Sequence, residues 1–380
     1  MTYPDIPQRP GISGQKRIVV KIGTTSLIYP NGKVNLHFID VLARQISDLR
    51  NRDYQVILVS SGAIGVGYPV LGFDRRPSSV PYKQASAAVG QGLLMNLYEK
   101  AFHEYGQTVA QVLLTKGDAL NPKRYLHASD TLVSLMELGA VPIVNENDAV
   151  TTDEIKIGDN DTLSAIVASV ADAGLLIILS DVDGLYTADP AVHSDARLIH
   201  EIPCFDRSLF SMAGGPGSQV GTGGMHTKLQ AAEICVHSGI DMIIARSSEA
   251  DVLHRIMEGE EIGTLFRSHD VHPQMQKKAL IIGADVKGKI FVDRGCRDAL
   301  LSGGSSLLPV GMVRVEGDFQ EGDSLSVFYE DKEIGRGISH YDTADARLIC
   351  GRRTGDLAAV LGHEPPYDTM IHRDHLIIIK

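Results

Sequence analysis

The sequence predicts an open, mostly parallel α/β sheet sandwiched by helices, followed by a small, mostly β barrel domain. Three observations carry this expectation. Up to about Arg267, short apolar runs alternate with longer stretches of helical periodicity. Those runs are continuous rather than alternating with polar residues, as expected of strands covered on both faces. Beyond Arg267 the chain turns to short strand-like runs separated by turns such as Glu316-Gly317-Asp318 and Glu321-Gly322-Asp323.

Taken in order, the first strand is expected at Arg17–Ile22 and stops at Gly23-Thr24-Thr25-Ser26. A helix follows over Phe38–Asn51, with Ile39, Leu42, Ile46 and Leu49 on one face. Val56–Val59 is the next strand and ends at Ser60-Ser61-Gly62. The rhythm then repeats. Helix Lys83–Tyr105 leads to strand Thr108–Leu114, and Tyr125–Leu138 leads to Val141–Val144. Helix Thr162–Ala171 leads to Leu175–Leu179, and Ala231–Ser238 leads to Met242–Ala245. Such alternation implies βαβ units and a parallel sheet. Ligands of these sheets sit outside the carboxyl ends of the strands, which is where the Gly, Ser, Asn and Asp clusters fall. In the C-terminal part, strand-like runs stand at Ile281–Ile282, Lys289–Val292, Gly311–Val315, Ser324–Phe328, Lys332–Ile338 and Leu376–Ile379. The expected organisation is a flexible extension over residues 1–15, an α/β domain over 16–267, a linker over 268–278 and a second domain over 279–380.

Composition narrows the function classes. Of 380 residues, 43% are hydrophobic and 22% charged, an ordinary globular balance. A formal net charge of -11 argues against a surface that coats nucleic acid. The four cysteines, Cys204, Cys235, Cys296 and Cys350, form no C-x-x-C pair, so reduced thiols in a cytoplasmic protein are expected rather than a zinc or thioredoxin-like site. The first fifteen residues lack the apolar core of a signal peptide. The apolar runs are too short to span a bilayer. Walker A, G-x-G-x-x-G after a strand, H-E-x-x-H and G-x-S-x-G patterns are absent.

What remains is a set of strand-end loops. Lys21 ends a buried strand, where an unpartnered ammonium is costly; it either meets a phosphate near Gly23 or snorkels outward. Ser61 and Gly62 begin a tight turn whose amides suit an anion. Asn145-Glu146-Asn147-Asp148 can bind an amino group and a carboxylate of one ligand, or cap the next helix. In Lys156-Ile157-Gly158-Asp159-Asn160-Asp161, Asp161 is a candidate cap for a helix starting near Leu163, and the run has more acidity than a cap needs. It could orient lysines or reach Mg²⁺ through water. Ser180-Asp181-Val182-Asp183-Gly184 follows another strand. Gly221-Thr222-Gly223-Gly224-Met225-His226-Thr227-Lys228 opens a helix and suits nucleotide phosphates.

Together these loops resemble the amino acid kinase family over about Arg17 to Arg267. Ile143 to Asp148 joined to Lys156 to Asp161 resembles its glutamate 5-kinase branch. The remainder, through Ser302 to Pro309 and Gly311-Met312, resembles the PUA domain appended to many bacterial members. The resemblance implies an ATP- and Mg²⁺-dependent kinase acting on L-glutamate. Lys21 and Lys228 would bind ATP phosphates, with Asp161 holding them in position. Ser61, Asp148 and Asn160 would bind glutamate, helped by Asn145. Ser180 and Asp181 would contact the nucleotide, as would Thr222, Gly223, Gly224, Met225, His226, Thr227 and Lys228. No catalytic role falls to His226, and no protein-held metal is expected. Two departures from the family pattern are Ser180 where Thr is expected and His226 where a small hydroxyl residue is common. The family further implies the first step of proline biosynthesis, inhibition by proline, a dimer or tetramer, and product passing to glutamate-5-semialdehyde dehydrogenase. Aspartokinase, acetylglutamate kinase, carbamate kinase and uridylate kinase share the fold, but lack the paired Asn-Asp loops and the appended domain. The balanced charge of the last hundred or so residues favours a structural or regulatory role for that domain over RNA binding.

Overall fold

The computed structural model describes residues 9, 12–115, 118, 122–150, 160–190, 192–212, 224–268, 286–302, 304–365 and 367–378. Most of the expected N-terminal extension and linker, the Ile281–Ile282 run, residues 156–159, and Thr222 and Gly223 lie outside the described residues. The chain divides into two compact units, Met1–Ala119 with Ala128–Pro273, and Leu120–His127 with Gln274–Lys380.

In the first unit the strands are β1 (Arg17–Ile22), β2 (Gln55–Val59), β3 (Thr108–Leu114), β4 (Ala140–Glu146), β5 (Leu175–Ser180), β6 (Glu201–Ile202), β7 (Asp241–Arg246) and β8 (Thr264–Phe266). They form one eight-stranded sheet in the order β3-β4-β2-β1-β5-β7-β8-β6. From β3 across to β7 every pair is parallel. The continuous apolar runs account for this. Val19, Val20, Ile57, Leu58, Ile177 and Ile178 are all fully buried, each contributing roughly 1.5–3 kcal/mol by burial. Edge strand β3 is only half-covered. The far edge departs from the simple alternation: β8 runs antiparallel to β7, and β6 pairs parallel with β8. Both are too short to show a period in sequence.

Helix Leu36–Asn51 begins two residues before its apolar period because the Asn35 Oδ1 accepts a hydrogen bond from the Phe38 amide at 3.1 Å. Its buried face is the expected one, Ile39, Leu42, Ile46 and Leu49. Helices Ala63–Val70 and Val80–His103 pack backbone to backbone. A Cβ at Gly67 would lie 1.9 Å from the Ser86 carbonyl oxygen, and one at Gly90 would lie 1.8 Å from that of Ala63. Only glycine permits this approach, and it fixes the segment that leaves β2.

The second unit contains β9 (Val286–Val292), β10 (Met312–Gly317), β11 (Ser324–Tyr329), β12 (Lys332–Ile338) and β13 (Leu376–Ile378). They form a five-stranded sheet, β10-β9-β11-β12-β13, mixed because β9 and β11 pair in parallel. Helices Arg294–Ser302 and Thr343–Ile349 help close a separate core around Ile290, Leu300, Leu325, Val327, Ala346 and Ile349. Periodicity does not reveal these helices, since they are only nine and seven residues long. The second is marked by its cap: the Asp342 carboxylate accepts from the Asp345 amide at 2.9 Å.

Candidate active site

The carboxyl ends of β1, β2, β4 and β5 converge. Lys21 sits on central strand β1, paired with Val59 of β2 and Ile178 of β5. Its side chain does not snorkel; the residue is only 4% exposed. The Nζ instead lies 2.5 Å from Asp161 Oδ1. Lys228, on helix Met225–His237, is 3% exposed and places its Nζ 3.2 Å from Asp161 Oδ2. Thr227 Oγ1 lies 2.9 Å from the same Oδ2 and 2.8 Å from the Gly224 carbonyl. Its one proton serves one of them at a time.

Asp161 is fully buried. The expectation that it caps a helix starting near Leu163 is corrected, because that helix begins at Asn160. Asp161 therefore stands within the first turn and points inward to the lysines. Burying three charged groups is tolerable only where they pair. Within this triad the positive charges outnumber the negative by one, a bias toward binding a further anion.

The preceding residue serves a second cluster. Asn160 Nδ2 donates to the Ser60 carbonyl at 2.8 Å, Ser61 Oγ at 2.9 Å and Asn145 Oδ1 at 3.1 Å. The Ser60 carbonyl can only accept, so the orientation of this amide is fixed. Asn145 Oδ1 also accepts from the Glu146 amide at 2.9 Å, which turns its Nδ2 toward Gln91 Oε1 at 2.8 Å. Beneath them Ser60 Oγ bonds the hydroxyl of fully buried Tyr98 at 2.8 Å. Burial drives the Tyr98 pKa upward, so it stays a neutral phenol.

Ser61, Asn145, Asp148 and Asn160 line a cavity of about 380 Å³. Gly62 makes the turn at its floor with φ +94°, a left-handed conformation that favours glycine. Glu146, Arg76 and Lys83 complete the charged part of the wall. A second cavity of about 370 Å³ opens beside β5 and β7, lined by Asp183, Tyr186, Pro190, Met212, Met225 and Arg246. There Arg246 forms an ion pair with Asp183, whose carboxyl it holds below the usual range. The Tyr186 hydroxyl donates to the same carboxylate at 2.8 Å. Ser180 Oγ donates to Asp181 Oδ1 at 2.9 Å at the end of β5. Gly224 stands just ahead of helix Met225–His237, where the amides of a helix start favour an anion. The His226 ring packs on Phe210, with centroids 5.0 Å apart.

The structure thus gathers Lys21, Asp161, Thr227 and Lys228 in one cluster and Ser61, Asn145, Asp148 and Asn160 around one cavity. Sequence reading missed Arg76, Lys83, Gln91 and Tyr98. They come from a loop and a long helix with no local signature in the sequence.

Comparison with known proteins places the chain in a family. Residues 16–246 match the amino acid kinase family and residues 288–361 match the PUA domain. A glutamate 5-kinase of Thermoanaerobacter sp. (strain X514) is 48% identical, covering 96% of this chain and 98% of that protein. Those of Carboxydothermus hydrogenoformans and Moorella thermoacetica are 48% and 44% identical, over 96% and 98% of this chain and 98% of each relative. The chain belongs to the amino acid kinase family and, within it, to the glutamate 5-kinases.

Proposed function

We propose that this chain transfers the γ-phosphoryl group of ATP to the γ-carboxylate of L-glutamate, forming γ-glutamyl phosphate and ADP. The observation that carries the reading is the adjacency of Asn160 and Asp161. One residue serves the amide-lined cavity and the next holds the two buried lysines. Acceptor and phosphoryl sites are then separated by a single residue step on a helix.

A carboxylate is already an adequate nucleophile, so no general base is needed. The difficulty is bringing two anions together, which calls for alignment and positive charge. Lys21 and Lys228 offset charge on the moving group, and Asp161 sets their spacing. Ser61, Asn145, Asp148 and Asn160 bind and orient glutamate. The start of helix Met225–His237 and the cavity at Tyr186 and Met225 suit the phosphates and base of a nucleotide. Ser180, Asp181 and the segment from Thr222 to Lys228 form its contacts. Mg²⁺ carried on ATP supplies further positive charge.

In this reading the reaction opens proline biosynthesis in the cytoplasm, proline competes near the glutamate cavity, and glutamate-5-semialdehyde dehydrogenase consumes the product. The chain acts as a dimer or tetramer, and residues 279–380 form a domain of structural or regulatory role. Trapping with hydroxylamine tests the core of it. Hydroxamate from glutamate, not from aspartate or N-acetylglutamate, and suppressed by proline, is the expected result. Product from another acid would move the substrate, and no product with any acid would sink the reading.

A further inference from the structure

We infer that Arg76 and Lys83 form the subsite for the α-carboxylate of the amino acid. This rests on the glutamate reading and adds to it the group that selects an amino diacid. Both residues line the same cavity as Ser61, Asp148 and Asn160. Among the described residues neither side chain makes a hydrogen bond or ion pair. Other arginines of this unit behave differently. Arg246, Arg255 and Arg267 all hold carboxylates.

The cavity is polarised. Glu146 and Asp148, at and just past the end of β4, supply carboxylate acceptors to its lining. Asn160 commits both amide protons to protein acceptors, so only its Oδ1 remains to face a ligand. These acceptors suit an ammonium group. Glutamate has three charged groups, and its γ-carboxylate must face Lys21 and Lys228 for transfer. With the ammonium on the acidic residues, the α-carboxylate requires cations elsewhere, and among the described residues Arg76 and Lys83 are the cations that line the cavity. Arginine adds a planar fork that can engage both carboxylate oxygens. The two residues lie on the segment running from helix Ala63–Val70 into helix Val80–His103, which the Gly67 and Gly90 contact ties down beside the cavity.

The test measures steady-state hydroxamate formation by wild type, Arg76→Gln, Lys83→Gln, the double variant and Arg76→Lys. Loss of charge-assisted hydrogen bonds at a partly exposed site should raise the double variant's KM for glutamate roughly 10- to 100-fold, with kcat nearly unchanged. Arg76→Lys should recover part of the loss. The double variant should also discriminate less than wild type between glutamate and 4-aminobutyrate, which lacks only the α-carboxylate. A double variant with wild-type KM, or with undiminished discrimination, overturns the assignment alone. So does a fall in kcat with KM unchanged, which marks a structural role. A wild type that forms no hydroxamate from glutamate overturns the function and this subsite together.

Discussion

Replacing Asp161 by Asn isolates what the buried triad does. The substitution keeps the size of the side chain but turns one oxygen into an NH₂ group. Asp161 currently offers Oδ1 to Lys21 at 2.5 Å and Oδ2 to Lys228 at 3.2 Å. In the variant one of these ammoniums meets a donor instead of an acceptor, and the other meets a neutral oxygen. Breaking a buried ion pair costs about 3–5 kcal/mol, and the retained carbonyl places Asn near the lower end. About 3 kcal/mol corresponds to roughly 6–12 °C in Tm for a unit of this size. Turnover should fall about 100-fold or more, because neither lysine keeps its position. Thermal melts and hydroxamate kinetics measure the two effects. A triple variant, Lys21→Met, Asp161→Leu and Lys228→Met, separates them. Apolar replacement of a buried ionic set is often neutral or stabilising, so stability should return while activity stays lost. Wild-type Tm and turnover in Asp161→Asn, or a triple variant less stable than the single one, would refute the argument.

Three further outcomes follow from the packing. Gly90→Ala puts a Cβ 1.8 Å from the Ala63 carbonyl oxygen, so thermal denaturation should show a loss of about 3 kcal/mol. Gly92→Ala, where a Cβ meets nothing within 4 Å, should instead stabilise the same helix by about 0.8–1 kcal/mol. Tyr98→Phe removes the 2.8 Å bond to Ser60, and urea melts should register a loss of about 1 kcal/mol. In the second unit burial pushes the His340 imidazole down to about 4. The unfolded chain therefore takes up the proton first as pH falls below about 6.5, and stability drops until the folded group titrates. Between pH 7 and 5 this amounts to about 2 kcal/mol, and His340→Gln should remove that part of the urea-midpoint shift; an identical pH slope in the variant would contradict it.

The main sheet was legible because its strands are buried on both faces. Runs such as Val19-Val20 and Leu176-Ile177-Ile178 admit no competing period. Its far edge was not, since Glu201–Ile202 and Thr264–Phe266 are too short to establish a period. Lys21, Asp161 and Lys228 could be singled out because charge at a strand end or a helix start needs an explanation. Their pairing came only from the family resemblance, because Asp161 and Lys228 lie on different helices that meet in the folded chain. A capping role explained Asp161 equally well until the helix start was known. Arg76 and Lys83 gave no signal at all: two cations in a polar loop and on a helix flank look like ordinary solvated surface.

The adjacency of Asn160 and Asp161 also limits how such a site can diversify. Any shift of their helix moves the acceptor contacts and the lysine clamp together, so a change there that favours a new acid disturbs transfer as well. The segment that carries Arg76 and Lys83 belongs to other helices and is free of that coupling. It hangs on two touching glycines and lines the same cavity. Descendants of this scaffold can explore new acceptors by redrawing the loop between helices Ala63–Val70 and Val80–His103, while the helix at Asn160 is inherited unchanged.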